Sequence, residues 1–214
     1  MNLNRRHLLA MGAALATTGP ARAQSLPRLM CFGDSLMAGY GLPSARGLVP
    51  QLADYLRDAG QNTQLINAGI SGDTTYGGRV RIGLSIERHQ PDAIIVELGG
   101  NDMLRQFDPV KSGRNLDAIL TTATEGGRPV LLVGINAPAG DADWRRAWSR
   151  LWPALANKHQ TLLLQDLYAP LVEVAPEDRG PLMQHDGIHP SDLGVQRIVQ
   201  HLGPVAAQLM QRLG

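Results

Sequence analysis

The fold class can be read outward from the stretch Ala93-Ile94-Ile95-Val96-Glu97-Leu98-Gly99-Gly100-Asn101-Asp102. A short, nearly unbroken apolar run stops abruptly at glycines and polar residues. Successive strand residues point to opposite faces, so an apolar run without alternation must be covered on both sides, as in a parallel sheet. Four other runs have the same form: Leu29–Phe32, Thr63–Asn67, Pro129–Ile135 and Thr161–Leu164. Helical patterns lie between them. Gly47–Ala59 places Leu48, Leu52, Tyr55 and Leu56 on one side and meets a stop at Gly60. Asn115–Thr124 and Trp144–Lys158 also read as helices. A last helix starts near Pro190, with a break or kink expected at Gly203-Pro204. Alternating strands and helices predict an α/β sandwich around a parallel sheet. Sites in such sheets form beyond the carboxyl ends of the strands.

The composition agrees. The chain has 214 residues, 43% hydrophobic and 18% charged, which excludes a disordered chain and a multi-pass membrane protein. One cysteine, Cys31, rules out an intrachain disulfide. It stands inside an apolar strand, as a core residue rather than a thiol nucleophile.

The start, MNLNRRHLLAMGAALATTGPARAQ, is read apart from the fold. Arg5 and Arg6 precede an uncharged apolar run, Leu8 to Leu15, and Ala21-Arg22-Ala23 offers a cleavage pattern before Gln24. This is the order of a secretory signal peptide. It predicts a cleaved leader over 1–23, a single domain over 24–214 and export to the periplasm, by a twin-arginine or general secretory signal. Without Arg5, Arg6 and Arg22 the 20 Lys and Arg become 17 against 19 Asp and Glu, a formal charge of −2. That balance argues against nucleic acid as a partner.

Polar, glycine-rich segments follow the strands: Gly33-Asp34-Ser35-Leu36, Ala68-Gly69-Ile70-Ser71-Gly72-Asp73 and Gly99-Gly100-Asn101-Asp102. A fourth, Asp186-Gly187-Ile188-His189-Pro190, precedes the last helix. Their chemistry can be assigned by role. A serine hydroxyl needs a base within hydrogen-bond reach, and His189 can supply it to Ser35. Asp186, three residues earlier, can orient the imidazole and stabilise imidazolium. Acyl transfer also needs donors aimed at a developing oxyanion: the N–H groups of Ser35 and Gly72 and the side-chain amide of Asn101. Asp34, Asp73 and Asp102 read as turn acids bonding nearby N–H groups. His185 and His189 with Asp186 lack a third ligand and helical spacing, so no metal is expected. Trp144, Trp148 and Trp152, four residues apart, fall on one helical face, where packing is their expected role.

Ser35, Gly72, Asn101 and His189, in that order, resemble the four marker residues of the GDSL or SGNH hydrolase superfamily. The resemblance extends to Ala38-Gly39-Tyr40-Gly41, Asn67 to Thr74, Val96 to Asp102, Leu104-Arg105 and Asp186 to Pro190. It points to the branch of periplasmic thioesterases, lysophospholipases and arylesterases. The family implies a flavodoxin-like three-layer α/β/α sandwich with about five parallel strands. It implies Ser35 as nucleophile, His189 as base, Asp186 as its orienting acid, and Ser35, Gly72 and Asn101 as the oxyanion hole. It requires no cofactor. The expected substrates are small-molecule esters, thioesters or lipids. A carbohydrate O-acetyl esterase, also represented in the superfamily, and a non-catalytic lipid-binding protein are the alternatives. Met103, Leu104, Phe107, Ala137, Pro138, Leu182 and Met183 flank the motif segments and are candidates for an acyl site. Gln106 and the stretch Asn136–Asp141 depart from the branch pattern, which would alter the acyl pocket.

Overall fold

The computed structural model describes residues 26–213. The expected leader over 1–23 lies outside the described residues. Five strands form one parallel sheet: β1 (Arg28–Gly33), β2 (Gln64–Gly69), β3 (Ala93–Glu97), β4 (Val130–Val133) and β5 (Leu162–Leu164). Their order is β2-β1-β3-β4-β5. The chain therefore leaves β1 toward one edge and returns to the other side with β3. The carboxyl ends of β1 and β3 flank this switch point, where open α/β sheets form their crevice. Gly33 pairs in register with Glu97 there.

Every residue of β3 and β4 is buried, as is β1 after Arg28. Cys31 belongs to this core, and burial pushes its thiol up to about 12, which leaves no thiolate nucleophile near neutral pH.

The sheet is covered by α2 (Leu48–Asp58), α3 (Thr75–His89), α5 (Pro109–Ala123), α6 (Ala142–His159) and α8 (Asp192–Gln211). Three short helices, α1 (Ser35–Ala38), α4 (Gly100–Leu104) and α7 (Ala169–Val172), stand beyond strand ends. The architecture is the expected three-layer sandwich, with differences in the helices. The α3 helix has no clear helical signal in the sequence, because its apolar positions are interrupted by Gly77, Gly78 and Gly83. Gly78 is there for close packing: a Cβ would meet Leu98 Cδ1 at 2.3 Å. The α5 helix begins six residues before the predicted Asn115, at a proline capped by Asp108. The α8 helix starts after Pro190, at a Ser191 cap, and runs through Pro204 without ending. A mid-helix proline costs about 3 kcal/mol. Burying Val199, Leu202, Ala206, Leu209 and Met210 across that point offsets it.

Candidate active site

Asp34 caps the single turn of α1 by accepting from Leu36 N–H at 3.0 Å. Ser35 is therefore fixed at the first helical position, immediately beyond β1. Its hydroxyl lies 2.8 Å from His189 Nε2. The opposite ring nitrogen, Nδ1, lies 2.6 Å from Asp186 Oδ2. The other Asp186 oxygen accepts from Ile188 N–H (2.9 Å) and His189 N–H (3.0 Å). This carboxylate closes its own turn, while Gly187 takes the positive φ of 67° that the turn needs. The arrangement places Nδ1–H on the acid side and leaves Nε2 to accept the serine proton.

The bond to the His189 ring, then the His189 N–H, holds the Asp186 carboxyl down to about 2. A carboxyl lowered below its ordinary value of about 3.9 stabilises the fold above that value and loses the contribution as pH falls toward the lowered one. Asp186→Asn should therefore melt below wild type above about pH 4, and the two melting curves should converge near pH 2. A temperature gap that stays constant across this window contradicts the linkage.

Two further contacts brace the histidine loop. The Gln184 side chain donates to the carbonyls of Tyr40 (2.8 Å) and Pro190 (3.0 Å), tying the end of the serine turn to the entrance of α8. The Tyr168 hydroxyl donates to Ile188 O at 3.0 Å. Burial first, then the charge of nearby carboxylates, pushes this phenol well above its usual value, so it remains a donor. The Tyr40 ring lies over the imidazole, centroids 4.6 Å apart.

Gly72 and Asn101 line the same cleft as Ser35 and His189. Gly72 sits at φ 80°, in a turn open to solvent. The Asn101 amide donates one N–H to Asp34 Oδ2 at 3.1 Å, which leaves a second N–H for a ligand. Arg81, which motif reading did not single out, holds these segments together. It donates to Gly33 O (2.9 Å), Ala68 O (2.9 Å) and Asp73 (2.7 Å), with its guanidinium 3.8 Å from the Phe32 ring centroid. The ends of β1 and β2 and the residue after Gly72 are thus fixed to one cation. Asp102 is more than a turn acid. Wholly buried, it accepts from Thr75 N–H, Thr75 Oγ1 and Ser112 Oγ, linking α3, α4 and α5.

The cleft has a volume of about 590 Å³, within the range of small-molecule sites. Met103, Leu104, Ala137, Pro138, Leu182 and Met183 line it, together with Leu36, Tyr40, Ile135, Leu171, Val172 and Ile188. Phe107 stands outside this lining; its side chain is exposed and its carbonyl accepts from Trp144 Nε1 at 3.1 Å. The tryptophans pack as expected: Trp148 and Trp152 are wholly buried, with ring centroids 5.8 Å apart. His185 is exposed. Among the described residues no three His, Cys, Asp or Glu side chains gather as a metal site.

Comparison with known proteins agrees with this geometry. The profile of the GDSL-like Lipase/Acylhydrolase family matches residues 31–197. Esterase TesA of Pseudomonas aeruginosa is 34% identical over 208 residues, covering 96% of this chain and 100% of the relative. Thioesterase 1/protease 1/lysophospholipase L1 of Escherichia coli K12 is 37% identical over 192 residues, covering 89% of this chain and 86% of the relative. The crystal structure of AlinE4, an SGNH-hydrolase family esterase, superposes with a TM-score of 0.70 at 38% identity, covering 86% of this chain and 96% of that one.

Proposed function

Since this chain belongs to the GDSL-like lipase/acylhydrolase family, we propose that Ser35, His189 and Asp186 carry out its ester hydrolysis through an acyl-enzyme. The observation that carries this reading is the continuous relay from Ser35 Oγ through the imidazole to Asp186, at 2.8 and 2.6 Å. Ser35 Oγ attacks the carbonyl carbon of an ester or thioester while its proton passes to His189 Nε2. The carbonyl oxygen becomes an oxyanion facing the N–H groups of Ser35 and Gly72 and the Asn101 amide. The C–O or C–S bond then breaks, and His189 gives its proton to the departing alcohol or thiol. Water, deprotonated by His189, attacks the acyl group. Collapse of the second tetrahedral intermediate releases the carboxylic acid and returns the proton to Ser35.

The largely apolar lining of the cleft that holds Ser35 supports an acyl group as the bound part of the substrate. The carbohydrate alternative finds less support, because the buried Trp148 and Trp152 offer no face for sugar stacking. A series of p-nitrophenyl esters from acetyl to palmitoyl, with acyl-CoA thioesters in parallel, tests the reading. The apolar cleft predicts hydrolysis of both classes, with kcat/KM rising beyond acetyl as the chain fills it. Turnover confined to acetylated sugars would overturn it.

The leader pattern at residues 1–23 supports export to the periplasm. The exported chain should begin at Gln24 by mass; a chain still carrying Met1 contradicts this.

A further inference from the structure

Beneath the serine turn lies a carboxyl group that the reaction above does not use. Glu97, the last residue of β3, is wholly buried, and neither of its oxygens meets a hydrogen-bond donor of ordinary geometry among the described residues. An orphaned buried acid is costly and calls for a reason. Its position supplies one. Glu97 stands opposite Gly33 in the sheet register. Its carboxyl occupies the space a side chain at residue 33 would need, since a Cβ there would lie 2.7 Å from Glu97 Oε2. Asp34 follows Gly33 directly in the chain, so the register that sets Glu97 opposite Gly33 brings the Asp34 N–H and carboxyl close enough to act on it. Asp34 in turn accepts from Leu36 N–H at 3.0 Å and from the Asn101 amide at 3.1 Å.

We propose that Glu97 is a positioning residue: as a neutral acid it donates its O–H to Asp34, and thereby fixes the carboxylate that aims the Asn101 amide into the oxyanion site. Two adjacent buried carboxyls cannot both hold a charge. Burial raises Asp34 as well, but it accepts from Leu36 N–H, the Asn101 amide and, at 3.5 Å, the Ser35 hydroxyl, and so keeps the negative charge; Glu97 has no donor and keeps the proton. Burial, then the charge of Asp34, pushes Glu97 well above the ordinary carboxylate range. The neutral acid also keeps a second negative charge away from the place where the oxyanion develops. The Asn101 amide has two N–H groups, one already committed to Asp34. Fixing Asp34 therefore fixes the direction of the other.

This inference rests on the serine esterase reading, and its test separates the two. Ester turnover is measured for wild type, Ser35→Ala, Glu97→Gln, Glu97→Met, Asn101→Ala and the double variant Glu97→Met/Asn101→Ala. Glutamine keeps a donor toward Asp34 and should hold kcat within about threefold of wild type. Methionine has no donor and should lower kcat about 10- to 100-fold with KM nearly unchanged, the scale of a misaimed catalytic group. In the Asn101→Ala background the same change should cost less than about twofold, because the group it aims is gone. Equal losses in both backgrounds, or full activity in Glu97→Met, overturn the inference. If Glu97→Met does not fold, Glu97→Gln decides, and a loss of more than about tenfold there overturns it. Turnover surviving Ser35→Ala would instead sink the esterase reading.

Discussion

Ser35→Ala should leave a folded protein whose ester turnover has fallen by about 10⁴- to 10⁶-fold. The size follows from the role. The alanine variant keeps the N–H donors, the Asn101 amide and the apolar cleft, so ester still binds, but no covalent intermediate can form. Only water positioned by His189 remains, with the modest residual rate that an oxyanion hole and binding support alone. The fold should be indifferent. Ser35 is buried, but the α1 turn is capped by the Asp34 side chain and not by the serine hydroxyl. The check is kcat on the best p-nitrophenyl ester, beside a melting curve. A variant that melts like wild type and turns over within tenfold of it removes Ser35 from the mechanism.

Asn101→Ala carries the second largest effect, a loss of about 10²- to 10³-fold in kcat with little change in KM. The amide is worth most when the oxyanion is fully charged, so its removal is felt in the transition state rather than in binding. A structural cost comes with it. Asp34, almost wholly buried, loses one of its donors, a change worth about 1–3 kcal/mol. The melting temperature should fall by several degrees without unfolding the protein. Steady-state kinetics and thermal unfolding of one preparation separate the two effects. A rise in KM at constant kcat would make Asn101 a ground-state binding residue instead.

The parts of this molecule legible in its sequence are those set by short-range physics. Five runs became five strands: in β1, β3 and β4 burial on both faces leaves an unambiguous apolar pattern, while the edge strands β2 and β5 are only partly buried. The Asp186–His189 pair was legible because a carboxylate three residues before a histidine, across a glycine, can reach Nδ1 within its own turn. Glycine spacing in α3 hid the helix, since Gly78 answers to Leu98 across the interface and not to its own neighbours. Pro204 pointed to a break by local rules, and tertiary burial of the α8 face overrode them. Arg81 and Glu97 were illegible for the same kind of reason. In sequence one is a charge on a helix and the other a lone acid in a strand. Only the tertiary fold brings both to Gly33, Arg81 by the packing of α3 on the sheet and Glu97 by the β1–β3 register. Phe107 follows a motif closely in sequence, yet the chain after α4 leaves its side chain exposed and outside the cleft lining. Tyr168 and Gln184 act through backbone carbonyls, which no residue pattern announces.

In the proposed mechanism Ser35 Oγ carries the acyl group, and labelling with a fluorophosphonate followed by peptide mass mapping reads that bond. One phosphonyl group per chain is expected on the peptide containing Ser35, formed in step with loss of esterase activity and absent from Ser35→Ala. Inactivation with the label on another residue, or full labelling of Ser35→Ala, would contradict that mechanism.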